Sequence, residues 1–171
     1  EAFRCGTATI IGRPNAGKST LLNRLVGQKV SITSDRPQTT RHRLLGIHTT
    51  DAAQIIYVDT PGLHRQEGGT LSRLMNRAAR SSLEGVDVVL LVVTADGWRE
   101  EDEPVLELAQ RAECPVILVI NKIDKLETRA ELLERIDSMR PQMEFAEIVP
   151  VSARSGENLP TLETALVRYL P

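Results

Sequence analysis

No sign of charge dominates this chain of 171 residues: 21 lysines and arginines stand against 23 aspartates and glutamates, a net charge of −2. That balance excludes a domain working as a broad electrostatic clamp for nucleic acid. No apolar run is long enough to span a bilayer, and no signal-peptide pattern occupies the first residues. Cysteine is scarce. Cys5 and Cys114 stand alone, with no metal-ligand spacing around either, which points to reduced thiols in a cytoplasmic protein. Internal repeats, low-complexity stretches and linkers are lacking too, so residues 1–171 read as one domain. What is present is 41% hydrophobic and 26% charged, the mix of an ordinary globular protein with enough chain to bury a core. The chain opens on Glu1 and stops at "RYLP", and both ends read as cuts in a longer protein.

Strand-like and helix-like segments alternate. "TATII" (Thr7 to Ile11) is short, apolar and β-branched, as a buried strand is, and "KSTLLNRLVG" reads as a helix closed by Gly27. "RLLGIHTT" and "AQIIYVD" flank the turn "DA" as a hairpin. "LSRLMNRAARSSL" carries Leu71, Leu74, Met75, Ala78, Ala79 and Leu83 at helical spacing. The continuous apolar runs "DVVLLVV" and "PVILVIN" read as strands buried on both faces. Between them "EDEPVLELAQRA" is a helix with acidic residues at its positive end. A charged helix follows near Arg129 to Met139, then strand "EIVPVS" and a closing helix with Leu159, Leu162, Leu166 and Tyr169 on one face. This is an α/β order with one hairpin, hence a mostly parallel sheet covered by helices, with ligands bound at the strands' carboxyl ends.

The loops after strands are therefore the informative ones. "GRPNAGKST" (Gly12 to Thr20) meets the pattern G-x-x-x-x-G-K-S/T through Gly12, Gly17, Lys18 and Ser19. A ring of backbone N–H groups in such a loop surrounds phosphate oxygens, with a lysine and a Mg²⁺-binding hydroxyl at its edge. The strand before it and the helix after it supply the context, because the helix start adds free N–H groups and a favourable dipole. "DTPG" (Asp59 to Gly62) follows the next strand. Its aspartate suits a Mg²⁺-holding role, and Gly62 can turn its N–H onto a terminal phosphate.

"NKID" (Asn121 to Asp124) ends the strand "PVILVI". An ionised carboxylate accepts from two adjacent donors, which guanine offers at N1–H and its exocyclic amine. Adenine presents a lone pair at N1 and no amine at C2, so a site built for the pair rejects it. Asn121 can complement the base edge and tie loops together, and the Lys122 stem can cover the ring. Asp124 could instead cap the charged helix that follows. In "VSARSGE" (Val151 to Glu157) the N–H of Ala153 can donate to guanine O6, with Ser152 steadying the loop. The arginines of "DRPQTTRHR" (Arg36, Arg41 and Arg43) read as a solvated loop face.

These four motifs in this order resemble the translation-factor-like branch of P-loop GTPases. "GRPNAGKSTLLNRLVGQKVSITSDRPQTTRHRLLGI", "DTPGLH" and "MNRAARSSLEGVDVVLLVVTADGW" are similar to the Era family in particular, with "QTTRHR" and Trp98 its specific touches. The resemblance implies a three-layer P-loop GTPase domain. Its sheet would have six mostly parallel strands with one antiparallel edge strand, and helices on both faces. It implies a GTP-hydrolysing switch, slow by itself, with Mg²⁺ held by Ser19, Asp59 and Thr40 (or its neighbour Thr39). GTP and GDP would be bound by Asn15, Ala16, Gly17, Lys18, Ser19, Thr20, Asp59, Gly62, Asn121, Lys122, Asp124, Ser152 and Ala153. Lys18, Thr40, Gly62 and Asn15 would carry catalysis. Leu63 stands where other GTPases have a water-orienting glutamine, and a leucine cannot orient water. Asn15 looks like the asparagine that binds K⁺ in some relatives; alternatively it bonds only within its own loop. Era proteins bind small-subunit ribosomal RNA through a C-terminal KH domain that is absent from this chain. RNA contact, and any peripheral membrane association, would then belong to the parent protein. The competing readings are the GTPase domain of a tRNA-modifying or tandem-domain relative, and a nucleotide-binding module with negligible turnover. A small-molecule kinase gives "NKID" no role.

Overall fold

Seven consecutive residues of β5 (Val88–Thr94) are all buried, and so are the six of β6 (Val116–Asn121). Only a strand covered on both faces takes so unbroken an apolar run. In the computed structural model, which describes residues 2–29, 43–59 and 83–171, these strands lie inside a seven-stranded sheet. The remaining strands are β1 (Arg4–Gly12), β2 (Gln28–Lys29), β3 (Arg43–Thr49), β4 (Ala53–Asp59) and β7 (Glu147–Pro150). Their order is β2–β3–β4–β1–β5–β6–β7. From β4 to β7 every neighbouring pair is parallel, whereas β3 runs antiparallel to β4 and β2 antiparallel to β3.

The six expected strands are present. The seventh, β2, is two residues long, too short to leave a periodic signal, and exists by pairing Gln28 with Ile47 and Lys29 with Gly46. It also shortens the first helix. α1 (Lys18–Leu25) gives way to the extended residue Val26, one residue before the Gly27 expected to close it, because the chain must straighten to join the edge. The hairpin turn spans Thr50 to Ala52, one residue wider than "DA", and the Thr50 hydroxyl accepts from the N–H groups of Ala52 and Ala53.

Alternate residues of β5 serve two cores. Val88, Leu90 and Val92 pack with Leu21 and Leu25 of α1 and with Leu159, Leu162 and Leu166 of the closing helix. Val89, Leu91 and Val93 pack with α2 (Glu103–Gln110), through Val105, Leu106 and Ala109, and with Met139 of α3 (Arg129–Met139). The closing helix, α4 (Leu159–Arg168), shows the expected face, and the hydroxyl of Tyr169 just beyond it donates to Ala146 O at 3.1 Å. The acidic start of "EDEPVLELAQRA" is a separate 3₁₀ turn, Glu100–Asp102, and Pro104 stands in the first turn of α2, where a missing N–H costs nothing. The helix expected from Leu71 lies outside the described residues except for its last, Leu83, which is buried in the second core. Helices on both faces of a sheet make three layers, as expected.

Candidate nucleotide site

Register sets the site. Gly12 pairs with Val92 and Thr94 pairs with Asn121, so the carboxyl ends of β1, β5 and β6 finish side by side. Their following loops then meet above the sheet. The loop between β1 and α1 turns through two left-handed residues, Asn15 at φ 67° and Gly17 at φ 98°. A Cβ on Gly17 would stand 2.2 Å from Asn121 Nδ2, so this position needs glycine for space as well as for φ. α1 has no acidic residue in its first turn to offset its positive end, and the hydroxyls of Ser19 and Thr20 are exposed there.

Asn121 is the hinge pin of the site. Its side chain is buried; Nδ2 donates to Ala16 O at 2.9 Å, and Oδ1 accepts from Ala153 N at 2.9 Å. One amide thus fastens the loops after β1, β6 and β7 together and keeps a second N–H in reserve. Lys122, itself left-handed at φ 67°, reaches back and donates to Asn15 O at 2.8 Å, laying its stem along the edge of the phosphate loop. Asp124 stands exposed in a 3₁₀ turn (Ile123–Lys125), and its Oδ1 accepts from Ser152 Oγ at 2.8 Å. Ser152 is fully buried, so the carboxylate is aimed by a fixed hydroxyl.

Two expectations change in detail. Asp124 does not cap the charged helix; Thr128 does, accepting from Glu131 N at 3.2 Å. The Ala153 N–H, assigned to guanine O6, is committed to Asn121, so it serves a base only by sharing or exchanging that bond. Ser152 has the steadying role expected of it, exerted on Asp124 and, through its accepted bond from Ser155 N at 3.2 Å, on its own loop.

Lys18 folds back to donate from Nζ to Gly12 O at 2.6 Å. Burial pulls its pKa below the usual lysine value, and the nearby charge of Asp59 at the end of β4 pushes the other way. An ammonium held where burial penalises it is poised to gain from an arriving anion. Among the described residues no group of three or more His, Cys, Asp or Glu is placed to hold a metal. A hydroxyl at Ser19 and one carboxylate at Asp59 are instead a donor set for a hard cation that also takes phosphate oxygens and water, as Mg²⁺ does. Thr39, Thr40, Gly62 and Leu63 lie outside the described residues.

Sequence reasoning passed over Arg13, the second residue of the loop. It is 6% exposed, with Nη2 donating to Thr94 Oγ1 at 2.7 Å, Nη1 to Pro14 O at 3.0 Å, and Nε 3.4 Å from Asp102 Oδ1. The only signal was a long charged side chain in a loop otherwise built of small or short residues.

A loop of the pattern G-x-x-x-x-G-K-S on a strand-to-helix turn, tied by Asn121 to the loop after β7 whose Ser152 holds Asp124, is the arrangement of a P-loop nucleotide-binding domain of the GTPase type. The chain belongs to the 50S ribosome-binding GTPase family, whose model matches residues 7–122. It is similar to GTPase Era of Marinobacter nauticus, with 55% identity over 168 residues, covering 98% of this chain and 55% of that protein. Among solved structures it resembles Era in complex with MgGDPNP and a segment of 16S ribosomal RNA (TM-score 0.78, 43% identity, 99% of this chain and 58% of that one). A tyrosine-to-alanine variant of Aquifex aeolicus Era bound to GDP and AlF₄⁻ matches with the same figures. The chain spans little more than half the length of these relatives.

Proposed function

We propose that this domain binds and hydrolyses GTP and is the switch of a factor that assembles the small ribosomal subunit in the cytoplasm. The observation that carries the reading is the Asn121 bridge, which sets the phosphate loop and the Asp124 carboxylate into one continuous site. Guanine N1–H and its amine are the paired donors that carboxylate accepts, and adenine lacks both. Asn15 to Thr20 receive the phosphates, with Lys18 Nζ leaving Gly12 O for the β- and γ-phosphate oxygens. Ser19 and Asp59, with Thr40 or Thr39, would hold Mg²⁺, which would supply positive charge against the phosphate oxygens. Gly62 offers its N–H to the terminal phosphate.

Leu63 leaves the attacking water without a glutamine, so catalysis rests on backbone groups, Lys18 and a monovalent cation. Asn15 suits K⁺: its carbonyl is taken by Lys122, while its side-chain amide bonds to no described residue, and its oxygen is a hard ligand. The parent protein would contact small-subunit RNA, and any membrane surface, through the part absent from this chain. Support for RNA as partner comes from the Era complex with 16S ribosomal RNA.

Three measurements test the reading. The chain should bind GTP and GDP far more tightly than ATP and ADP. Asp124→Asn should lose GTP and gain xanthosine triphosphate, whose extra carbonyl suits an amide donor. Phosphate release should be faster in KCl than in NaCl at equal ionic strength, with Asn15→Ala removing the difference. Equal affinity for the two bases sinks the guanine assignment; equal rates in the two salts sink K⁺; no phosphate release in either leaves a binding module.

A further inference from the structure

Four carbonyls of the phosphate loop are each held by a side chain. Gly12 O accepts from Lys18, Pro14 O from Arg13, Asn15 O from Lys122 and Ala16 O from Asn121. No cis peptide is present among the described residues, so each N–H points opposite to the carbonyl of the residue before it. Pinning Pro14 O therefore sets the N–H of Asn15, and pinning Ala16 O sets that of Gly17. The latter task falls to the asparagine of the base motif. The former falls to Arg13.

We infer that Arg13 is a positioning residue for phosphate binding, anchored by Thr94 and Asp102, which aims the first half of the loop as Asn121 aims the second. This rests on the nucleotide-binding reading above. The anchors are well founded. Thr94 closes β5, and its hydroxyl, accepting from Arg13, passes its own hydrogen to Asp96, which pairs with Arg99. Asp102 is 1% exposed and its Oδ2 is fixed by Arg99 N at 2.8 Å. Ala95, next along, donates to Asn121 O at 2.8 Å, so both anchoring systems share the end of β5 and β6. Asp102 Oδ1 and Arg13 Nε have no hydrogen-bonding partner among the described residues and face each other at 3.4 Å as charges alone. A buried ion pair with imperfect bonding is a poor way to stabilise a fold, since apolar residues do as well or better. Its return is orientation. Asn15 sits at positive φ, a region open to asparagine more than to most other residues, and Arg13 acts on the peptide immediately before it. The planar guanidinium reaches two fixed acceptors, Thr94 Oγ1 and Pro14 O, in different directions while its charge faces Asp102.

The test compares diphosphate with monophosphate. Arg13→Ala in the 171-residue chain should weaken GDP roughly tenfold or more, the effect of losing a charge-assisted bond. GMP, which leaves the first half of the loop unfilled, should weaken much less, so the GDP-to-GMP affinity ratio falls. The preference for GDP over ADP should stay unchanged, because Asn121 and Asp124 are untouched. A residue that merely held the fold would lower GDP and GMP alike. Should Arg13→Ala fail to fold by circular dichroism, Asp102→Asn keeps the shape, removes the counter-charge and should show the same fall in ratio. An unchanged ratio in either folded variant overturns the inference. Equal binding of GDP and ADP by the unsubstituted chain would instead sink the guanine reading, and the Arg13 question would then be answered by the ADP-to-AMP ratio.

Discussion

Lys18 carries its charge into surroundings that penalise it, and that penalty has a pH signature. A lysine whose pKa is lowered on folding gives up its proton more readily in the folded state than in the unfolded one. Below the lowered pKa both states are protonated and the full cost is present. As pH climbs from there toward the ordinary lysine value of 10.5, the unfolded chain binds more protons than the folded one, so stability rises. The nucleotide-free chain should therefore gain melting temperature relative to Lys18→Met across that alkaline window; a constant difference between the two would show that burial does not penalise the ammonium. Lys18→Ala should also lose most GTP affinity while remaining folded, measured by equilibrium titration. The thiols offer a second check at this scale. Burial, with the charge of Asp87 adding to it, pushes the Cys114 thiol up to about 11, whereas Cys5 is exposed. At pH 8 only about one Cys114 in a thousand is thiolate, the reactive form. Iodoacetamide followed by mass spectrometry should find Cys5 modified well before Cys114. Equal rates would contradict the buried setting.

Among the described α-helices, α3 is the one least supported by packing. Met139 is its single fully buried residue, and Leu133 stands 53% exposed. A helix with so little apolar anchorage leans on its ends, and Thr128 satisfies one of its orphan donors. Thr128→Ala should cost about 1 kcal/mol of unfolding free energy, read from urea titration. The sequence shows this helix between its true bounds because its charge pattern starts just after a threonine and stops at a methionine. It shows β5 and β6 equally well, since a continuous apolar run of six or seven residues, mostly β-branched, suits a buried strand. β2 it does not show, because two residues become a strand only when β3 lies beside them. The same pairing explains why α1 stops short of the glycine that composition marks as its end.

For the molecule as a whole, the site is a property of converging loops rather than of any one of them. Gly17 and Asn121 are 104 positions apart, yet a single methyl at Gly17 would lie 2.2 Å from the Asn121 amide. Gly17→Ala should thus displace Asn121 and undo its bonds to Ala16 and Ala153 together. Both GDP affinity and melting temperature should fall, and guanine preference should erode even though the base motif is unaltered. Intact preference with weakened binding would show that the phosphate loop and base loop act separately.

The sequence by itself determined the α/β order, the two-sided core and the residue types at the site, because each rests on local rules: apolar periodicity, loop glycines at fixed spacing, and the acceptor pattern of a carboxylate. It puts Asn121, Lys122 and Asp124 at the end of β6 and Ser152 just after β7, where the structure has them, and has Asn121 tie loops together, as its bonds to Ala16 and Ala153 do. Tertiary structure decided which atom meets which. That Ala153 donates to Asn121, and that Arg13 is buried against Thr94 and Asp102, follow from the register of β1, β5, β6 and β7, while Thr128 caps α3 because Asp124 is held by Ser152 in the turn before it. Register places in contact residues whose separation along the chain carries no signal, and hydrogen-bond partners in converging loops are fixed by distances of a few tenths of an ångström. Residue type alone does not specify those.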